Sequence, residues 1–343
     1  MDVPGVDQRR LSAWMSANTP DLEAPERVSL ISGGKSNLTY RLDTPGRALV
    51  LRRPPLGHVL PTAHDMRREW RVISALHGTA VPVPEPVAFC GDEDVLGAPF
   101  YLMAYVEGTA IVDEKDAGDL SPERTRELST HLAEVLAAIH AVDYEAAGLG
   151  DLGRPEGYLA RQLRRWGRQW ERSKTADLPE YDRLARRLAD RLESLPPGGA
   201  ALVHGDYRLD NALVRGTRIA VVVDWEMSTL GDPLADLGLT VTYWQDPDDP
   251  GGVALARGIT ARPGFLTVPE FVAAYARASG QDLRDLDFYI AFGNFKLAVI
   301  AEGIHARHLG GKTVGEGFDR VGEAVPVLIA RAHRVLDAAS GGR

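Results

Sequence analysis

Two stretches of this chain concentrate residues able to do chemistry. LVHGDYRLDNALV (residues 202–214) runs from an apolar segment into Asp206, Asp210 and Asn211, and AVVVDWEMSTLGDPLADLG (220–238) runs through three valines into Asp224. Carboxylates at the ends of buried apolar strands are costly unless positive charge compensates them. A hard cation such as Mg²⁺ does so, taking oxygen ligands from carboxylates and amides together with substrate phosphates. The spacing H-x-D-x-x-x-x-N, with an aspartate 13 residues further on, has a mechanical reading. Asp206 accepts the proton of a substrate hydroxyl, while Asn211 and Asp224 hold the metal ions that bridge ATP phosphates. The competing reading is that Asp206 and Asn211 cap a helix beginning near Asn211 and that Asp224 opens a turn. A cap accounts for one polar residue, not for four between two apolar strands.

A second set lies near the N-terminus. SGGKSN (32–37) sits between two predicted strands. Gly33 and Gly34 would let backbone N–H groups approach phosphates, and Ser36 and Asn37 can donate from their side chains. A plain hairpin turn is the alternative. LVLRR (49–53) ends in Arg52 and Arg53, and Glu69 follows on a predicted helix. Arginine is always charged and grips phosphate with two parallel N–H donors. A one-residue change of register decides which arginine faces inward; we take Arg52. Glu69 could instead be a solvated carboxylate beside Arg67, Arg68 and Arg71. The apolar run 100–106 would set the backbone of Ala104 to Val106 against a nucleotide base, or serve simply as core strand.

The elements that must position these groups divide the chain in two. Residues 7–18 read as an amphipathic helix, and 27–31, 37–42 and 48–52 as strands separated by Gly33-Gly34 and Pro45-Gly46 turns. Residues 65–76 have a helical period, with Met66, Trp70, Ile73 and Leu76 on one stripe. VPVPEPV (81–87) reads as an extended connector, because proline excludes a helix interior. Beyond about residue 108 long helices take over, at 128–140, 158–172, 181–195 and from 269 onward, with short β runs at 201–203 and 218–223. A strand-rich lobe over 1–105 and a helical lobe over 106–343 make a bilobal α+β plan. The 343 residues are too many for one ordinary core. The charge of −9 disfavours nucleic acid and anionic lipid as partners. The single cysteine, Cys90, excludes an internal disulfide. The start lacks the order of a signal peptide, and the most apolar run (288–304) carries Lys296 and Glu302, so a cytoplasmic protein is expected.

SGGKSNLTYRL, HGDYRLDN, VVDWEMSTLGDPLADLG and FYIAFGNFKLAVIAEGIHAR together resemble the aminoglycoside phosphotransferase-like enzymes. Within that family of small-molecule relatives of protein kinases, the phrases are most similar to the branch found beside, or fused to, acyl-CoA dehydrogenases. The resemblance covers roughly residues 26–315. It implies a protein-kinase-like fold, with a five-stranded N-terminal lobe hinged to a helical lobe and ATP between them. It makes Asp206 the base, Asn211 and Asp224 the Mg²⁺ ligands, His204 a support of the loop and Asp236 its brace from the following helix. In kinases a lysine on the third strand binds phosphates and pairs with a helix glutamate; here Arg52 stands in that place. Gly205 replaces the arginine that precedes the base in protein kinases, and only eleven residues separate Asp224 from Asp236. There is no room for a long phosphorylated loop, which favours a small-molecule acceptor over a protein.

The acceptor side is less determined. GYLARQLRRWGRQWERSK (157–174) repeats Arg161, Arg164, Arg165, Arg168 and Arg172 beside Tyr158, Gln162, Trp166 and Trp170. A basic helix in an acidic protein could hold an anionic acceptor such as the phosphates of coenzyme A, or be a solvated face over two core tryptophans. Asn294, Lys296, Glu302, His305 and Arg307 either face the acceptor or make helix contacts. The resemblance implies a hydroxyacyl-CoA or hydroxy acid as acceptor. An antibiotic O-phosphotransferase and a nucleotide-binding module without turnover are the alternatives; the first needs an acidic pocket for polycations, and the second is opposed by the intact Asp206, Asn211 and Asp224. A phosphoesterase would need histidine ligands after Gly-Asn, but Phe295 follows Gly293-Asn294.

Overall fold

The structure, a computed structural model, describes residues 3–32, 37–56, 65–118, 120–245, 258–312 and 317–341. The N-terminal lobe is built on an antiparallel five-stranded sheet. Its strands are β1 (Arg27–Ser32), β2 (Leu38–Asp43), β3 (Ala48–Arg53), β4 (Pro86–Cys90) and β5 (Phe100–Ala104), in the order β1-β2-β3-β5-β4. Alternation along the strands gives the sheet two faces. Tyr40, Leu42, Leu49, Leu51, Phe100 and Leu102 form an outer core, covered by Leu11 and Met15 of α1 (Gln8–Asn18). Val50, Tyr101 and Met103 face the other way and join the core of the rest of the molecule. Register places Arg52 between Thr39 and Tyr101 on that inner face.

The connector expected over 81–87 gives way at Pro86 to strand β4. Proline is tolerated there because Pro86 is the first residue of an edge strand, where its missing N–H breaks no ladder. Helix α2 (Met66–Leu76) is capped by Asp65, whose side chain accepts from the Arg68 N–H at 3.0 Å. Its buried face carries Glu69 and Val72 as well as Met66, Ile73 and Leu76, while Trp70 is half-buried against Phe89 and Tyr101. Arg68 fastens this helix to the second lobe, donating to the carbonyls of Ser228 (2.8 Å) and Leu152 (2.7 Å). Arg71 adds an exposed pair with Asp151.

After the short α3 (Glu93–Leu96) and β5, the chain enters the helical lobe through β6 (Thr109–Ala110) and α4 (Glu114–Ala117). Helix α5 (Pro122–His140) starts six residues before the expected 128, at a Ser121 cap followed by Pro122, a favoured first helical residue. Helices α6 (Tyr158–Ser173) and α7 (Pro179–Glu193) precede β7 (Ala201–Val203). Strands β8 (Ala212–Arg215) and β9 (Arg218–Val222) form a hairpin that β6 extends, and β10 (Thr229–Gly231) pairs with β7. Helices α8 (Pro233–Tyr243), α9 (Val268–Ser279), α10 (Leu286–Leu309) and α11 (Ala324–Gly341) complete the lobe. Helices α8 and α10 cross so closely that a Cβ on Gly238 would lie 2.4 Å from the Tyr289 carbonyl oxygen. This contact brings Asp236 of α8 and Lys296 of α10 beneath the loop after β7.

Candidate active site

The two motif stretches and the inner sheet face meet at one cleft of about 430 Å³. Val50, Met103, Leu213 and Val221 line its apolar part, and Asn37, Arg52, Glu69, Asn211 and Asp224 its polar part. Arg52 faces this cleft, whereas Arg53 turns to the opposite side of the sheet and donates to the Leu96 carbonyl at 2.8 Å. The Arg52 guanidinium bridges two carboxylates: Nε reaches Glu69 at 2.9 Å and Nη2 reaches Asp224 at 2.6 Å. Glu69 is buried, with 1% of its side chain exposed. Burial pushes its carboxyl above the ordinary range, against the pull of Arg52. Burial alone would lower Arg52, but Glu69, Tyr101 and Asp224 outweigh it and hold the guanidinium firmly charged.

Asp224 leaves the strand in a left-handed conformation (φ 67°, ψ 57°), the single positive φ outside glycine among the described residues. Aspartate tolerates this better than most residues, at a cost of roughly 1–2 kcal/mol. The surroundings enforce it. Trp225 is fully buried with its indole N–H on the Val222 carbonyl at 3.1 Å, and the Val223 N–H is held by the Asn211 carbonyl at 2.9 Å.

No helix begins near Asn211. A single 3₁₀ turn (Leu209–Asn211) passes directly into β8, which removes the capping explanation. Asn211 Nδ2 donates instead to the Asp206 carbonyl at 2.8 Å and its carboxylate at 3.1 Å. The amide oxygen of Asn211 and the Asp224 carboxylate are the oxygen donors at this edge of the cleft. That set fits Mg²⁺, which keeps several waters and binds through one or two carboxylates plus phosphate oxygens. Among the described residues no three His, Cys, Asp or Glu side chains converge as an all-protein metal cage.

The loop before Asp206 is held from below. Asp236 is buried and accepts from the N–H groups of His204 (2.7 Å) and Gly205 (2.8 Å), and from His140 Nε2 at 3.3 Å. Burial alone would raise Asp236, but the hydrogen bonds and nearby charge of His140 and His204 keep its carboxyl below the ordinary range. His204 Nε2 donates to the Val223 carbonyl at 3.0 Å, joining the two motif stretches. Gly205 has a φ of +86° and sits so close to Met227 that a Cβ would lie 2.7 Å from its carbonyl oxygen. A side chain there is excluded on both counts.

Other expected residues fall in different places. Gly33, Gly34 and Ser36 lie outside the described residues. Asn37 is buried, and its Nδ2 donates to Glu226 at 3.3 Å. The Ala104 and Tyr105 N–H groups are engaged by the Glu85 (2.9 Å) and Ala48 (3.1 Å) carbonyls, and Val106 lines the cleft next to them. Trp166 and Trp170 are core residues, the latter stacked 3.8 Å from Tyr181, while Arg164, Arg165 and Arg168 of the same helix are exposed. Of the five polar residues singled out on α10, Lys296 reaches the loop of Asp206. Asn294 bonds within the helix to the Ile290 carbonyl (2.9 Å), Glu302 accepts from the Thr175 N–H, and His305 packs on Gly322. Two residues were missed. Glu226 holds Asn37, and its only sequence signal is a carboxylate two positions after Asp224. Tyr243, at the end of α8, lies beside Asp206; burial, then that negative charge, pushes its phenol up.

The fold and site define a kinase-like phosphotransferase. The family model described as the phosphotransferase enzyme family matches residues 27–289, and the chain belongs to that family. Its curated relatives include acyl-CoA dehydrogenase family member 11 of Gallus gallus, 36% identical over 312 residues (88% of this chain, 39% of the relative). Acyl-CoA dehydrogenase family member 10 of Mus musculus is 36% identical over 296 residues, covering 84% of this chain and 27% of the relative. The chain thus spans well under half the length of these proteins. A crystal structure from Ralstonia eutropha, provisionally named an aminoglycoside phosphotransferase, is 33% identical with a TM-score of 0.80, over 96% of this chain and 98% of that one. A thermostable aminoglycoside phosphotransferase mutant solved with AMP-PNP and hygromycin B shares the fold at 16% identity and a TM-score of 0.62, over 97% and 99% of the two chains. No helix among the described residues is long and apolar enough to cross a membrane.

Proposed function

We propose that this chain transfers the γ-phosphoryl group of Mg·ATP to a hydroxyl of a small anionic molecule, a hydroxyacyl-CoA or related hydroxy acid. The observation that carries the reading is that Arg52, Asp224 and Asn211 line one cleft, with Arg52 already fixed by Glu69 and Asp206 joined to Asn211 by a hydrogen bond. The lobe over 1–105 clamps the nucleotide, and the lobe over 106–343 presents the acceptor. The base rests on the apolar cleft wall, with Val106 beside it because the Ala104 and Tyr105 N–H groups are already used in the sheet. Asn37 meets the phosphates from the N-terminal lobe, and Arg52 turns a guanidinium N–H toward them. Asp224 and the Asn211 amide oxygen would hold Mg²⁺, which when bound neutralises phosphate charge. Asp206 orients the acceptor hydroxyl and takes its proton. The hydroxyl oxygen bonds to the γ-phosphorus, the bond to the β–γ bridging oxygen breaks, and ADP leaves.

Two observations support the anionic acceptor. The curated relatives carry acyl-CoA dehydrogenase names, and α6 exposes Arg164, Arg165 and Arg168. A screen for acceptor-dependent ADP release, comparing hydroxyacyl-CoA thioesters, free hydroxy acids and aminoglycosides, decides the class. Thioester-dependent release is expected; turnover with aminoglycosides alone would reverse the assignment. Asp224→Ala should abolish the Mg²⁺-dependent tightening of ATP binding in calorimetry. Tightening that survives the substitution removes Asp224 from the metal site.

A further inference from the structure

Lys296 has no part in the chemistry assigned above, yet it reaches the Asp206 loop from α10. Its Nζ donates to the Gly205 carbonyl at 3.0 Å and lies 5.7 Å from the Trp166 ring centroid. The charged groups facing it are Asp206, Asp236 of α8 and Arg165 of α6. Asp236 meanwhile accepts the Gly205 N–H, so the peptide units on both sides of Gly205 are fixed by one buried anion and one half-buried cation. An ammonium is costly to bury, and methionine would fill similar space without that cost.

Resting on the phosphotransferase reading, we propose that Lys296 is a positioning residue: its ammonium clamps the Gly205 carbonyl to set the angle at which Asp206 meets the acceptor hydroxyl, and its positive charge balances the acids of the loop. The clamp and the charge are separable. Either the amine or the ammonium can donate to Gly205, but the charge is present only in the protonated form. Burial pulls Lys296 below the ordinary lysine range; Asp206 and Asp236 oppose that pull and Arg165 adds to it. Activity that depends on the charge must therefore fall on the alkaline side, at a pH lower than an exposed lysine would set.

The test compares wild type, Lys296→Met, Lys296→Arg and Asp206→Ala, using ADP release with the best acceptor from the screen and amide hydrogen exchange of the peptide covering 202–214. Lys296→Met should lower kcat roughly tenfold to a hundredfold, as expected for a misplaced catalytic group, with KM for ATP within about twofold. Its loop amides should exchange about tenfold faster. Lys296→Arg should recover much of kcat and move the alkaline limb of the kcat–pH profile upward, since arginine keeps its proton. A Lys296→Met enzyme with unchanged kcat and unchanged loop exchange overturns the proposal, as does a Lys296→Arg profile with the wild-type alkaline limb. Turnover that survives Asp206→Ala overturns the phosphotransferase assignment of Asp206 instead. The exchange experiment reads the clamp whether or not turnover is seen.

Discussion

Asp206→Ala is expected to lower kcat by about 10²–10⁴-fold, the range a positioned proton acceptor contributes. Nucleotide affinity and melting temperature should stay close to wild type. The side chain is half-buried and accepts from Asn211 Nδ2 at 3.1 Å, and that donor keeps the backbone carbonyl of residue 206 at 2.8 Å after the carboxylate is gone. Asn211 is therefore not orphaned by the substitution, and Lys296 keeps the Gly205 carbonyl. Removing the carboxylate also relieves the raised carboxyl of Glu226, toward which Asp206 contributes. ADP release, calorimetric ATP binding and a thermal melt on the same preparation check the three parts together. Unchanged turnover in a folded variant would falsify the base assignment.

Arg52→Met should destabilise the fold by about 3 kcal/mol, the lower end for breaking a buried ion pair, because the stranded Glu69 can take up a proton. The sign of the pH dependence follows from Glu69. Its folded carboxyl already lies above its ordinary 4.5, so its titration favours the folded state at acid pH, and that contribution is lost as pH rises through the raised value. Without Arg52, which pulls Glu69 down by charge and by a hydrogen bond, the folded value climbs further. The stability deficit of Arg52→Met relative to wild type should therefore shrink as pH falls from about 8 to about 5. Denaturant melts of both proteins across that range measure it. A deficit that stays constant would mean that Glu69 does not depend on Arg52. Arg52→Lys keeps the charge but has one nitrogen where the guanidinium uses two, so it should restore one of the two contacts.

Much of this architecture was readable because its elements differ sharply in pattern. Strands β1 to β3 and β5 show alternation or apolar runs, and α2 and α6 show period-3.6 stripes. The elements that escaped lack those cues. β4 starts on a proline in a proline-rich run, β6 is two residues long, and β8 follows directly on a motif read for its chemistry. Helix α8 is buried on nearly every side, so it has no polar face to reveal a period. At the site, Asp206, Asn211 and Asp224 were legible because carboxylates closing apolar strands are conspicuous, and Arg52 over Arg53 because strand alternation permits only two answers. Glu226, Tyr243 and the arginine-to-carbonyl bonds of Arg68 were not legible. Each depends on which loop lies across the cleft, and local sequence does not encode that.

The bonds of Arg68 have a consequence for control. Many phosphoryl-transfer enzymes of this architecture idle with their glutamate-bearing helix swung away, so that the charge pair is broken until a signal restores it. Here that helix is bolted across the lobe boundary to two main-chain oxygens, at Ser228 and Leu152. Swinging it outward would leave both acceptors and the guanidinium without partners while tearing Glu69 from Arg52. The Glu69–Arg52 pair is accordingly already formed in this structure, and on the proposed phosphotransferase reading no rotation of the helix is needed to make it.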